Sequence, residues 1–348
     1  MRSHWRIILA SSADEDGERV EVDEYTCKEF ATRKMSAYRG RNLQLPGKSV
    51  LCEIDEKAPL ISMRLVFILC CVLIPTHTSL AQTAGRSSQV SFVRSKDGTR
   101  IAVECTGKGP TLLIVHGGTG DRGRWKPLFP LFAPQFTVCA MDRRGHGESE
   151  AGGNYSLSKE YEDVAAVVNS RTGPIFVLGH SIGGVCALEA AFLTNKISKL
   201  VLYEPPLQDL DHTAIVDRME KMIQAGDREQ ALITFLRDIV MVSPEGIAAM
   251  KSQAVWPDRV AGIDIQIREI RAVSKYRFDA RRIKELQTPT LLLTGSKTAS
   301  PQLKQAINSL MDALPRRTVV VFEGQEHNAM DRIPEQFADA VMNFLRAQ

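Results

Sequence analysis

Ser181 stands between Gly179 and Gly183 in the run Phe176-Val-Leu-Gly-His-Ser-Ile-Gly-Gly-Val185. Before it, Ile175 to Leu178 has the composition of a short buried strand. After it, Val185 to Phe192 has the alanines and leucine of a helix. A G-x-S-x-G pentad at such a junction makes a sharp turn. It holds the serine in a strained conformation with its hydroxyl exposed, because the glycines let the backbone pass close by. The N–H groups that open the following helix point to where negative charge develops in an attack. The chemistry this implies is nucleophilic, a hydroxyl adding to an electrophilic carbon. The pentad alone also describes an ordinary glycine turn, so partners are required. A hydroxyl needs a base, and the chain offers seven histidines: His4, His77, His116, His146, His180, His212 and His327.

The chain has 348 residues, enough for one large domain or two small ones. Its composition, 44% hydrophobic and 24% charged, is that of a soluble globular protein, and a net charge of +3 gives no reason to expect a nucleic-acid partner. There is no internal repeat, no metal-type Cys/His cluster and no cofactor motif. Met63-Arg64 is followed by the apolar run Leu65 to Ile74 and by Ser79-Leu80-Ala81. A charged start, a short apolar run and a small-x-small site are a secretory leader over 63–81, too short to span a bilayer comfortably. A leader begins at an initiator methionine, so residues 1–62 read as an upstream extension, and the polar, unpatterned text from Ser11 to Glu24 agrees. The mature chain, 82–348, is then expected outside the cytoplasm, with no membrane span after processing; if the leader is not used, the alternatives are a cytoplasmic or membrane-anchored chain. Of its cysteines, Cys105, Cys139 and Cys186 lie in apolar patterns and are expected as buried free thiols, of which at most one pair can form.

From Val90 onward strands and helices alternate. Strands are expected over Val90 to Arg94, Arg100 to Thr106, Thr111 to Val115, Phe136 to Met141, Ile175 to Leu178, Lys199 to Tyr203, Thr290 to Thr294 and Thr318 to Phe322. Helices are expected over Tyr161 to Val168 and Glu335 to Leu345. That alternation predicts a mostly parallel eight-stranded sheet covered on both faces. The stretch 207–286 interrupts it with helical patterns at Ala214 to Gln224, Glu229 to Val240 and Ile263 to Val273, broken at Gly226, Pro244 and Pro257. An insertion after the sixth strand, at the strand ends where ligands bind, reads as a helical cap.

On three motifs in this order the chain resembles the α/β-hydrolase fold proteins: His116-Gly117-Gly118 after the third strand, Gly179-His180-Ser181-Ile182-Gly183, and Gly324-Gln-Glu-His327 after the last strand. Asp142-Arg-Arg-Gly-His-Gly-Glu-Ser149 after the fourth strand fits as well. The resemblance covers all but the N-terminal quarter. It implies Ser181 as nucleophile, His327 as base, and the backbone N–H groups of Gly118 and Ile182 as an oxyanion hole. His116 then braces the loop it stands on. One position departs from the family pattern. Most members carry an aspartate after the seventh strand, but Gly295-Ser-Lys-Thr-Ala-Ser-Pro301 holds no carboxylate and Thr298 stands about where it would be. Glu204, at the end of the sixth strand, is the expected replacement. Any carboxylate that reaches the second ring nitrogen of His327 serves. Asp279 and Asp312 are weaker alternatives, and Thr298 itself is expected to matter little.

These assignments imply a serine hydrolase that takes a small carboxylic ester or related acyl compound through an acyl-enzyme, needing no metal or other cofactor. Perhydrolysis or C–C hydrolysis by the same groups, and a binding protein of this fold without turnover, are the alternatives. Trp125, Phe235, Met241, Trp256 and Tyr276 are the aromatic and apolar candidates for a substrate pocket. Acyl-chain length and oligomeric state are left open.

Overall fold

The computed structural model describes residues 89–207 and 211–347, together with the two-residue strands Ile8–Leu9 and Val50–Leu51. The chain divides into two units, Met1–Gln82 and Thr83–Gln348. In the first, Ile8–Leu9 pairs antiparallel with Val50–Leu51. The rest of the extension expected over 1–62, and the leader expected over 63–81, lie outside the described residues.

The second unit is built on eight strands. They are β1 (Gln89–Arg94), β2 (Arg100–Gly107), β3 (Thr111–Val115), β4 (Thr137–Met141), β5 (Ile175–His180), β6 (Ile197–Tyr203), β7 (Thr290–Gly295) and β8 (Arg317–Phe322). They form one sheet in the order β8-β7-β6-β5-β3-β4-β2-β1. β1–β2 and β2–β4 pair antiparallel, and every other pair is parallel. The central strands carry continuous apolar runs, such as Leu112–Val115, Ile175–Leu178 and Leu291–Leu293, because both faces are covered. On one face Leu113, Val115, Val177, Leu200, Leu202 and Leu292 pack under the helices α1 (Leu157–Asn169) and α2 (Ile182–Ala190). On the other, Leu112, Ile114, Phe176, Val201, Tyr203 and Leu293 meet the helical segment Arg122–Phe132 and the C-terminal helix. Successive residues of one strand thus belong to opposite cores, as the period of two requires.

The expectation of free thiols fails for two of the three cysteines. Cys105 and Cys139 face each other across the β2–β4 pair and are joined in a disulfide with Cα atoms 4.1 Å apart. The antiparallel pairing puts two residues from different segments directly opposite, which their apolar surroundings did not reveal. Cys186 is free and buried.

The cap follows β6. It comprises α3 (Thr213–Gln224), α4 (Arg228–Thr234) running into a π-turn at Phe235–Ile239, α5 (Pro244–Lys251), α6 (Trp256–Ala261) and α7 (Ile263–Val273). Pro244 and Pro257, expected as breaks, mark the starts of new helices and sit in the first turns of α5 and α6. There a proline loses no hydrogen bond and its fixed φ suits the helix. The cap has an apolar core of its own around Val216, Met219, Leu232, Leu236, Trp256 and Ile263. Two helices close the fold, α8 (Pro301–Ala313) and α9 (Pro334–Arg346). Among the described residues no helix is long and apolar enough to cross a membrane.

Candidate active site

β5 ends at His180 and α2 begins at Ile182, so Ser181 is the whole junction. Its backbone lies at φ 53° and ψ −128°, a region that L-residues avoid. Packing enforces this conformation. A Cβ on Gly179 would come 2.5 Å from the Gly183 carbonyl oxygen, and one on Gly183 would come 2.3 Å from the His116 carbonyl oxygen. Only glycine lets the helix start this close to the strand it has just left. The Ser181 N–H donates to the Tyr203 carbonyl at 2.9 Å, tying the turn to the end of β6.

The residue after Tyr203 is Glu204. It is fully buried, with φ 44°. Its Oε2 lies 2.6 Å from His327 Nδ1. Its Oε1 accepts three hydrogen bonds, from the Thr294 hydroxyl (2.7 Å), the Gly295 N–H (2.8 Å) and the Thr298 hydroxyl (2.6 Å). Burial alone would push this carboxyl up. The His327 contact, Thr298 and Gly295 together outweigh burial and hold it below its ordinary range. Thr298, expected to be inert, is therefore part of the carboxylate's support. Thr298, at the position left without a carboxylate, donates a hydrogen bond to Glu204. Asp279 instead caps the turn at Ala280 by accepting from the N–H groups of Arg281 and Arg282.

The loop after β3 lies over the same point. His116 is buried, with Nδ1 2.7 Å from the Gly117 carbonyl and Nε2 accepting from the Arg143 N–H at 3.0 Å. Its pKa is far below the ordinary histidine value, chiefly through burial, so the ring is neutral and braces the loop as expected. His180 is likewise kept neutral by burial, and its Nε2 is 3.0 Å from the His327 carbonyl oxygen. Tyr203 supports the same loop by donating its hydroxyl to the Glu326 carbonyl at 2.6 Å.

Gly118, Ser181, Ile182 and His327 line one narrow cavity of about 80 Å³ between the sheet and the cap. The cap contributes Phe235, Ile239 and Val240 from the π-turn segment, and Gln266, Glu269 and Ile270 from α7. A larger open groove, about 710 Å³ along Ala191–Ser198 and Glu285–Pro289, holds none of the chemical groups named here.

The family decides how this arrangement is to be read. Residues 112–340 match the model of the alpha/beta hydrolase family. The chain belongs to the alpha/beta hydrolase family. Among solved structures this hydrolase is similar to an alpha/beta hydrolase from Sphaerobacter thermophilus, with 31% identity, a TM-score of 0.64, and coverage of 73% of this chain and 100% of that one. The esterase RhEst1 from Rhodococcus sp. shares the fold, with a TM-score of 0.61 at 22% identity and coverage of 74% and 98%. Among curated relatives, 2-(acetamidomethylene)succinate hydrolase of Mesorhizobium japonicum is 25% identical over 268 residues, 69% of this chain and 90% of that protein. The uncharacterized hydrolase YraK of Bacillus subtilis is 24% identical over 262 residues, 72% and 94%.

Of the five apolar residues expected in this hydrolase's pocket, only Phe235 lines the cavity. Trp125 is fully buried in the core beneath the sheet, against His180 and Phe337. Trp256 is in the cap core and donates its indole N–H to Glu229 at 2.7 Å. Tyr276 packs with the α2 side of the sheet and donates to Glu189 at 2.7 Å. Met241, with φ 61°, is 40% exposed and borders only a minor void beside His327. Aromatic character marked burial at four of these positions, and which core each joined was set by tertiary packing. The polar residues that α7 gives the cavity, Gln266 and Glu269, were missed, as were His212, Ser300 and Gln302. The available signal was two polar residues spaced i, i+3 among the isoleucines of α7's apolar face.

Proposed function

We propose that this hydrolase is a serine esterase. It cleaves a small carboxylic ester or related acyl compound through an acyl-enzyme, with Ser181 as nucleophile, His327 as base, Glu204 as the orienting acid, and the N–H groups of Gly118 and Ile182 as the oxyanion hole. The observation that carries this reading is the 2.6 Å contact from Glu204 to His327 Nδ1, behind a cavity that both His327 and Ser181 line.

With Glu204 ionised, the Nδ1 proton of His327 is fixed toward it, leaving Nε2 free to accept. Nε2 takes the Ser181 proton as Oγ attacks the carbonyl carbon, and the negative charge on the carbonyl oxygen is met by the two backbone N–H groups. Collapse expels the alcohol, which leaves with the proton from His327. Water then enters, gives its proton to the same nitrogen and releases the acid. The narrow cavity favours a short acyl group.

A fluorophosphonate probe tests the assignment. Labelling at Ser181 that vanishes in Ser181→Ala supports it, and a folded chain that takes no label refutes it. A series of p-nitrophenyl esters of graded chain length then measures the acyl preference. We further propose that the mature chain is exported and begins near Gln82. The leader pattern over 63–81 supports this, as does the Cys105–Cys139 disulfide, a bond that persists in oxidising compartments. N-terminal sequencing that found Met1 intact on cytoplasmic protein would rule it out.

A further inference from the structure

The cavity wall opposite the sheet carries a charged group for which the acyl-enzyme scheme has no use. Glu269, on α7, is fully buried and lines the cavity together with Ser181 and His327. Its Oε1 is 2.6 Å from His146 Nε2 and 2.6 Å from Arg143 Nη2. Its Oε2, equally buried, has no hydrogen-bond partner.

No neighbouring group among the described residues donates to it. Arg143 is engaged mainly elsewhere. Its Nε and Nη2 bind Glu160 at 2.6 and 2.9 Å, and its Nη1 reaches the Gly117 carbonyl at 3.3 Å. Glu160 in turn accepts from the Tyr155 hydroxyl at 2.5 Å. One guanidinium therefore serves two carboxylates, and the lone pairs left over are those of Glu269 Oε2. Burial works against the charged form of Glu269, but Arg143 and His146 hold its carboxyl well below the ordinary range, so the free oxygen belongs to an ion. A buried ionised acceptor with no donor is unfavourable unless something fills the place. Among the described residues Glu269 is the sole carboxylate on this cavity wall, and most of the cap's other contribution is apolar: Phe235, Ile239, Val240, Ile270 and Val273.

We propose that Glu269 is a specificity-determining residue whose Oε2 accepts a hydrogen bond from an O–H or N–H group of the substrate, so that this hydrolase selects small acyl compounds bearing a donor beside the reacting carbonyl. The proposal rests on the hydrolase reading of the same cavity. It places recognition on the cap and chemistry on the sheet. The Arg143 and His146 contacts hold the carboxylate in one orientation, with one oxygen spent on the protein and one left for the ligand.

Two sets of isosteric esters test it, one for each side of the scissile bond. On the acyl side, ethyl propionate, ethyl glycolate and glycine ethyl ester place a methyl, a hydroxyl and an ammonium at one position. On the alcohol side, propyl acetate and 2-hydroxyethyl acetate exchange a methyl for a hydroxyl. In at least one set the donor-bearing ester should exceed its methyl isostere at least tenfold in kcat/KM. Comparison of glycolate with glycine ester shows whether the neutral or the cationic donor is preferred. In Glu269→Gln the amide turns its carbonyl toward Arg143 and its NH2 toward the cavity, so the ratio should fall to about one or invert. If Glu269→Gln does not fold, Glu269→Asp, which keeps the charge but withdraws the carboxylate, should show the same collapse of the ratio. Binding is read separately from turnover, as the rise in Tm that each ester gives the Ser181→Ala chain. Hydrolysis of both members of every pair at equal rates, equal Tm shifts within every pair, or a donor preference that survives in Glu269→Gln would each overturn the proposal. Absence of hydrolysis and of probe labelling at Ser181 would instead count against the esterase reading, while the Tm comparison still decides the role of Glu269.

Discussion

Glu204→Gln is the substitution on which the assigned acid stands or falls. The side chain keeps its shape, so the outcome turns on hydrogen-bond polarity alone. Four donors surround the carboxylate: Thr294, Gly295 and Thr298 on Oε1, and the Nδ1–H of His327 on Oε2. A glutamine has one carbonyl oxygen and one NH2. Three donors against one fix its orientation, with the oxygen toward Thr294, Gly295 and Thr298 and the NH2 toward His327. Nδ1 must then accept, which moves the ring proton to Nε2, the nitrogen proposed to take the proton of Ser181. The ring is held in the wrong tautomer and its cation loses its counter-ion. The loss of kcat expected for such a change is about four orders of magnitude, about 5.5 kcal/mol of transition-state stabilisation. The assay is ester hydrolysis with a parallel melting curve, since a buried residue with four hydrogen bonds also bears on folding. A Glu204→Gln chain that melts normally and keeps its activity within tenfold would refute the reasoning, and the acid would have to be sought elsewhere.

Other expectations follow from the same geometry. Thr298→Val removes a hydroxyl that donates to a buried carboxylate at 2.6 Å, and should lower stability by about 1.5–3 kcal/mol by denaturant titration; a change under 0.5 kcal/mol would mean the bond contributes nothing net. Because the Glu204 carboxyl is held below its ordinary range, its contribution is complete above about pH 4.3, the unfolded value, and is lost as pH falls through the folded one; acid melting curves of wild type and Glu204→Gln should converge there. Arg259, on α6, is 5% exposed with Nε and Nη1 unpartnered, and burial lowers its pKa to about 10. Arg259→Met should therefore raise Tm, since an apolar side chain of similar length replaces an uncompensated buried cation, and a fall would show that the guanidinium is paired. Reduction of Cys105–Cys139, which closes a 34-residue separation, should lower the unfolding free energy by about 2–4 kcal/mol by denaturant titration with and without reductant.

Local chemistry determined much of this protein in advance. Eight short runs rich in apolar and branched residues gave eight strands, because the central ones are buried on both faces and need long apolar stretches. The glycines around Ser181 and the chain order of the three motifs were enough to mark the strand-to-helix turn at Ser181 and the loops carrying Gly118 and His327 that line one cavity with it, since each depends on backbone geometry that only certain residues permit. The contact of Glu204 with His327 was legible by a vacancy, the missing carboxylate near Thr298. What the sequence did not carry were the relations between segments far apart along the chain. The hydroxyl of Thr298 meets Glu204 across 94 residues. Cys139 meets Cys105 because antiparallel pairing of β2 and β4 sets them opposite. Trp125, Trp256 and Tyr276 pack into three different cores, while Glu269 of the cap reaches His146 across 123 residues to form a cavity wall. A side chain's type states whether it tends to leave water and what it can bond. Its partner is chosen by the packing of elements that only the folded chain brings together.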